Sequence, residues 1–461
     1  MKKYLARLII ILLLLTALPL TGAAAFDTHT EYSSASLLLV SLDDGTVIIE
    51  KNPDEKRAPA ALTGIATAIT AIENCANLEA VVTVRSEAIK PLAGTYSSNM
   101  GLKADEEIKL IDLIYGLMLT SATDAAAVIA DHTAGSSGAF VEMMNETARK
   151  AGCGSTVFMN PHGLDEEGHY TTARDMAALT AYALKNSAFA KIAKENFRRI
   201  EATNKSGKRE LYTTNLMTNN GYSYYYAYAR GIRTGTTAKA GRCVVSMATK
   251  DGYSYLGVVM GAPQYDKNNY QINTNYAFEE CRSMFMWAFR HIRIRVVAEP
   301  YQTVADIKLN YCAAADRLRL VPEKEVTALV PSEINSGDVL IVPDEDTVTE
   351  INAPVKKGDI LGAASILYAG EEIARVNLVA ADSFERNAGK VIEAAVKKVL
   401  RSGLFIVLLI FFALTAGYYV VFVYIKSARK RKLRLMKNKK RAAGGRGDDD
   451  DRPKPPKSIL R

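Results

Sequence analysis

The chain has 461 residues, with 58 Lys and Arg against 50 Asp and Glu and a formal charge of +8. Residues 426–461 hold 15 Lys and Arg against 4 Asp, a surplus of 11, and residues 1–7 hold three positive charges, which leaves about −6 for residues 8–425. The basic balance therefore describes a tail and not a folded surface, which argues against nucleic-acid binding. The five scattered cysteines, Cys75, Cys153, Cys243, Cys281 and Cys312, lack any C-x-x-C spacing and argue against a disulfide framework. They read as small buried residues, with bridging of one pair left open.

In chain order, Lys2, Lys3 and Arg7, the apolar run Leu8–Leu15 and the small residues Ala23-Ala24-Ala25 predict a secretory signal over residues 1–25. The mature chain is expected to start near Phe26. An uncleaved anchor helix is the alternative, opposed by Pro19 and the alanine triplet. Apolar residues at three- and four-residue steps predict helices over 63–73, 110–119, 125–133, 138–151 and 172–184. Strand-like runs occupy 35–40, 45–50, 241–249 and 253–259, so residues 26–291 read as a mixed α and β domain. After His291 the pattern changes to short alternating runs over 293–298, 325–330, 339–342, 366–368 and 372–379. Turn signals such as Lys357-Gly358-Asp359 separate them and predict a small β-sandwich over residues 292–381.

Residues 382–402 are assigned to a juxtamembrane helix and 403–425 to a transmembrane helix. Gly403 to Val423 carries no charged residue and is long enough to cross a hydrocarbon core of roughly 30 Å. The Lys- and Arg-rich residues 426–461 form a basic tail, cytoplasmic by the positive-inside rule, with the main domains outside the cytoplasm in a single-pass type I arrangement. The tail reads as disordered, a stop-transfer signal that also touches anionic lipid. Its Asp448–Asp451 run and Pro453–Pro456 segment read as disorder as well.

Three stretches place residues where acyl-transfer chemistry would be expected. The first is Arg57-Ala58-Pro59-Ala60-Ala61-Leu62-Thr63-Gly64-Ile65-Ala66-Thr67-Ala68, the second Ser121-Ala122-Thr123-Asp124-Ala125-Ala126, and the third Gly231-Ile232-Arg233-Thr234-Gly235-Thr236-Thr237-Ala238-Lys239-Ala240-Gly241. Together they resemble the Ser-x-x-Lys, Ser-x-Asn and Lys-Thr-Gly motifs of the serine-type D-alanyl-D-alanine carboxypeptidases, the low-molecular-mass penicillin-binding proteins. Asn160-Pro161-His162-Gly163-Leu164-Asp165 and Leu211-Tyr212-Thr213-Thr214-Asn215 add to the likeness, which runs over roughly residues 30–390. Pro354 to Gly362 resembles a turn of that family's C-terminal domain. The resemblance implies an α/β (α+β) penicillin-binding or β-lactamase-like transpeptidase domain, an antiparallel sheet flanked by helices, followed by the β-sandwich and the membrane helix. The family usually ends in an amphipathic helix on the membrane surface, so a full span with a tail is a departure.

Every motif is altered. Ala61 stands where the nucleophilic serine is expected and Gly64 where the lysine is, with both on one helix face. Thr63 faces away from them, and Ser427-Ala428-Arg429-Lys430 matches Ser-x-x-Lys only inside the basic tail. In the second motif Ser121 survives while Thr123 replaces the asparagine amide. Its simplest reading is a cap for the helix beginning near Asp124. In the third, Arg233 replaces lysine and keeps a cation able to grip a carboxylate, while Thr234 and Gly235 are intact. A lone solvated or ion-paired arginine is the alternative. His162 and His169 lack the spacing of a zinc site, and no metal or cofactor is expected.

Loss of a hydrolytic nucleophile costs about six powers of ten in kcat. The expectation is thus a pseudoenzyme of the cell envelope whose catalytic positions Ala61, Gly64, Ser121 and Thr123 are degenerate. Ser121, Arg233, Thr234 and Gly235 are the expected contacts to peptidoglycan stem peptides, and an envelope protein is a further possible partner. The alternatives are an active carboxypeptidase with an unrecognised nucleophile and a membrane signalling or structural protein.

Overall fold

A computed structural model describes Phe26, residues 30–334 and residues 338–443. The secretory signal and the Asp448–Asp451 and Pro453–Pro456 segments lie outside the described residues. The chain forms two compact units. The first runs to Val297 and takes in Thr327–Leu340 and Leu367–Ile373.

At the centre of the first unit is an antiparallel sheet of five strands: β1 (Ser36–Ser41), β2 (Val47–Lys51), β3 (Ala229–Thr237), β4 (Gly241–Lys250) and β5 (Tyr253–Ala262), in the order β2-β1-β5-β4-β3. Successive side chains of a strand point to opposite faces, and here both faces are apolar. Leu38, Val245 and Val258 pack into one core, whereas Leu37, Leu39, Val244 and Val259 pack into another. The sheet is therefore covered on both sides.

On the first face lie helices α1 (Gly64–Asn74), α2 (Leu110–Thr120), α3 (Thr123–Ala134), α4 (Ser137–Lys150) and α5 (Ala173–Leu184), all within a residue or two of the expected ranges. Helix α1 is buried from Gly64 to Ile72, with its one charged residue, Glu73, in the last turn. Such a helix is held by packing on all sides rather than by an amphipathic stripe. The second face is covered by α6 (Tyr276–His291), which the periodicity reading omitted. Phe278, Cys281, Met284, Phe285, Ala288 and Phe289 recur at three- and four-residue steps and are all buried. Strand β3, which carries the third motif, was likewise not read as a strand from periodicity.

The β-rich part contains a six-stranded sheet in which Val339–Pro343, Ile360–Tyr368, Glu371–Ala380, Arg317–Pro322, Ala305–Asn310 and Glu350–Asn352 are neighbours in that order. Ala305–Asn310 and Glu350–Asn352 run parallel, and Ile292–Ala298 pairs with Val326–Pro331. A helix over Ala388–Leu400 follows, started by the Asn387 side chain accepting from the Lys390 N–H.

One helix then spans Gly403–Ala443, 41 residues, and its apolar part has a mean hydropathy of 2.5. Its basic half departs from the expected disordered tail, because residues up to 443 are helical. Ser427 to Ala443 contains neither glycine nor proline and is rich in Lys, Arg, Leu, Met and Ala, all strong helix formers.

Candidate active-site groove

The first motif straddles a change of helix type: Ala60–Thr63 form a 3-10 turn, and α1 starts at Gly64. Ala61 faces a cavity of about 650 Å³ that Ser121, Thr123, Thr234 and Gly235 also line. Residues from all three motif stretches therefore meet at one groove. Gly235 is there because β3 passes so close to the 3-10 turn that a Cβ would stand 2.7 Å from the Ala61 nitrogen. Gly163, at φ +81°, approaches from the other side, where a Cβ would fall 2.0 Å from the Ala60 carbonyl oxygen. Only glycine permits either approach.

Arg233 does not line this cavity, and the expected direct grip on a carboxylate is corrected by its placement. The side chain turns inward and is 1% exposed. Its Nε donates to the Ala61 carbonyl at 2.7 Å, and its Nη1 donates to the carbonyls of Leu117 and Met118, the latter at 3.1 Å. Nη2 has no partner. A Cβ on Gly64 would lie 3.0 Å from both Nε and Nη2 of Arg233. The arginine thus fills the space beside the residue that stands at the expected lysine position. Burial without a carboxylate partner lowers its pKa to about 9, so it stays charged at neutral pH.

The second motif holds a wall of the groove. Helix α2 ends at Thr120, Ser121 takes the left-handed conformation at φ +62°, and α3 begins at Thr123. The Thr123 hydroxyl donates to the Ser98 carbonyl at 3.1 Å and lies 2.9 Å from the Ser97 hydroxyl. Asp124 is not the cap of α3 but its second residue, Ala122 occupying the cap position. Its buried carboxylate accepts from the Met100 N–H at 2.9 Å and the Leu102 N–H at 3.0 Å. The segment of Tyr96, Ser97 and Ser98, which lines the groove, is thereby tied to α3. Sequence reasoning missed this wall, although the Gly-, Ser- and Thr-rich run Gly94–Ser98 marks a loop.

Beyond the motifs, Asp165 accepts from the Thr237 hydroxyl at 2.7 Å and from the Lys239 N–H at 3.2 Å, pinning the 160–170 loop to the end of β3. Arg242, also a groove residue, donates to the carbonyls of Thr274 and Ile272 at 2.6 and 2.9 Å. Thr63 sits behind the groove, fully buried. Its hydroxyl donates to the Ala60 carbonyl at 2.8 Å and lies 2.9 Å from His169 Nε2. Since His169 Nδ1 accepts from the Met159 N–H at 2.9 Å, the ring proton sits on Nε2 and donates to Thr63. Burial pushes both His162 and His169 down to about 4. Both rings are neutral loop anchors.

The resemblance is decided by comparison with known proteins. Residues 23–264 match the D-alanyl-D-alanine carboxypeptidase family of peptidases. The chain belongs to that family. It is 30% identical to D-alanyl-D-alanine carboxypeptidase DacC of Escherichia coli over 367 residues, 76% of this chain and 83% of the relative. It is 28% identical to DacF of Bacillus subtilis over 391 residues, 84% of this chain and 95% of the relative. Among solved structures, the carboxypeptidase DacD of Francisella tularensis superposes with a TM-score of 0.62 at 22% identity, covering 81% of this chain and 98% of that one. Penicillin-binding protein 5 of Haemophilus influenzae gives 0.57 at 23% identity, covering 78% of this chain and all of that one. These two likenesses speak for the fold, which is the penicillin-binding one expected. The relatives are peptidoglycan-processing carboxypeptidases, a cell-envelope family, and the long apolar helix from Gly403 fits membrane anchoring.

Proposed function

We propose that this carboxypeptidase homologue does not hydrolyse peptides and instead binds D-alanyl-ended stem peptides of peptidoglycan without acylation. The observation that carries the reading is Ala61 at the groove, with Gly64 beside it and no hydroxyl or amine at either position. A serine hydrolase without its nucleophile loses about six powers of ten in rate, about 8 kcal/mol of barrier, and Thr63 is buried behind the groove.

What remains suits binding. The groove is lined by the hydroxyls of Ser121, Thr123 and Thr234, offers a strand edge at Gly235, and has Arg242 for a carboxylate. Arg233 contributes from behind, orienting the Ala61, Leu117 and Met118 carbonyls and adding positive potential. The helix from Gly403 holds the groove outside the membrane, with the basic end in the cytoplasm.

The test uses the full chain in neutral detergent, titrated with a D-alanyl-D-alanine pentapeptide and with the tripeptide lacking both alanines. The reading expects saturable binding of the first only, with no alanine released. Equal binding of both peptides, or none, rejects the binding role, while alanine release favours a working carboxypeptidase.

A further inference from the structure

A second built concavity lies on the far face of the sheet, away from the groove. Helix α6 turns one face into the core. Its opposite face presents Glu279, Arg282, Ser283, Met286 and Arg290 at steps of three and four along the axis. This face, the segment Tyr226–Tyr228 and the β4 end at Lys250 line an open concavity of about 710 Å³.

Two properties set it apart. Four cations, Lys250, Arg282, Arg290 and Arg293, line it against a single carboxylate, Glu279. Arg282 spends one nitrogen on the Ser223 carbonyl and Arg293 one on the carbonyls of Phe289 and Ile292, and among the described residues none of the three arginines forms an ion pair. Among the described residues, the carboxylate that Lys250 reaches is that of Asp251, at 3.8 Å. Amid this charge sits an apolar floor: Met286 is 51% exposed and Tyr228 37% exposed. Arg, Tyr, Trp and Met are the residue types that protein interfaces favour, and all four line this cavity.

We infer that this face of α6 docks an acidic protein segment carrying an apolar or aromatic side chain. The apolar side chain packs on Met286 and the Tyr228 edge, and the acidic residues beside it meet Arg282, Arg290 and Arg293. Charge complementarity of this kind sets partner choice and association rate. A sugar polymer fits less well, because it stacks on an open aromatic plane. Lys250 Nζ lies 5.2 Å over the Tyr228 ring, and the Tyr226 ring meets the same residue edge-on at 5.4 Å. The inference is independent of the groove.

Trp287, the chain's single tryptophan, lines the cavity and reports on it directly. The experiment follows its emission in the full-length protein in neutral detergent. The probes are a hexapeptide of alternating Glu and Phe, the same peptide with Lys for Glu, hexaglutamate, and an anionic oligosaccharide. The expected result is a saturable change with the Glu/Phe peptide alone, at a Kd below about 1 mM, weakening as salt rises. Hexaglutamate can meet the basic tail without moving Trp287. Arg290→Gln, whose side chain makes no hydrogen bond among the described residues, and Met286→Ser should each weaken binding at least tenfold. The melting temperature should stay within a few degrees of the wild type, since a neutral residue in the last turn of α6 forfeits only the arginine's modest helix-dipole term. No saturable change, an equal change with any other probe, or unchanged affinity in both variants overturns the inference.

Discussion

A lysine introduced at position 64 should destabilise the site. A Cβ there already stands 3.0 Å from Arg233 Nε and Nη2, and the new ammonium would enter a space whose cation is 1% exposed. Two like charges about 4 Å apart at an effective dielectric of about 20 repel by about 4 kcal/mol. Replacing glycine inside a helix returns up to about 1 kcal/mol, so Gly64→Lys should destabilise by about 3 kcal/mol. For a unit of this size that lowers the melting temperature by roughly 6–12 °C. In an Arg233→Ala background the repulsion is gone. Arg233→Ala is itself costly, since it strips the donors from the Ala61, Leu117 and Met118 carbonyls. A double-mutant cycle by urea denaturation should thus give a coupling of about 4 kcal/mol between positions 64 and 233. If Gly64→Lys shifts the midpoint equally in both backgrounds, Arg233 does not fill the lysine's place.

Gly163→Ala should be among the most damaging small substitutions in the groove. The left-handed backbone alone costs about 1–2 kcal/mol, and the methyl would overlap the Ala60 carbonyl at 2.0 Å. An unchanged melting temperature would contradict the close approach. Stability should also fall with acid through the two buried histidines. Their folded pKa of about 4 lies below the ordinary 6.5, so the unfolded chain binds more protons between these values. The stabilisation is complete above about pH 6.5 and is lost as pH falls towards 4, at up to about 1.4 kcal/mol per pH unit for each ring. Urea midpoints measured from pH 7.5 to 4.5 should drop, and His162→Gln with His169→Gln should flatten the curve; a wild-type curve as flat as the variant's contradicts this.

Much of the site was legible because motif spacing is a local property. Ala61, Ser121, Thr123, Thr234 and Gly235 were picked from short stretches, and the fold brings them to one cavity. The direction of Arg233 was not legible. An arginine on a strand reads as a solvated cation, and only the empty volume over Gly64, on another element far away in sequence, draws it inward. A helix start near Asp124 is legible, but the partners of its carboxylate are not, because the N–H groups of Met100 and Leu102 belong to a segment with no periodic pattern. The helical reach of Lys426 to Ala443 was hidden by charge. A dense run of like charges reads as disorder, yet its residue types favour helix and no glycine interrupts them before residue 444.

The central claim is that the groove cannot form a covalent acyl-enzyme. Intact-mass measurement of the full-length protein after prolonged incubation with benzylpenicillin tests it most directly. The account predicts an unchanged mass, including for an Ala61→Ser variant that still lacks an amine at position 64. A penicilloyl adduct on the unaltered protein would contradict it and show that a nucleophile other than residue 61 works in this groove.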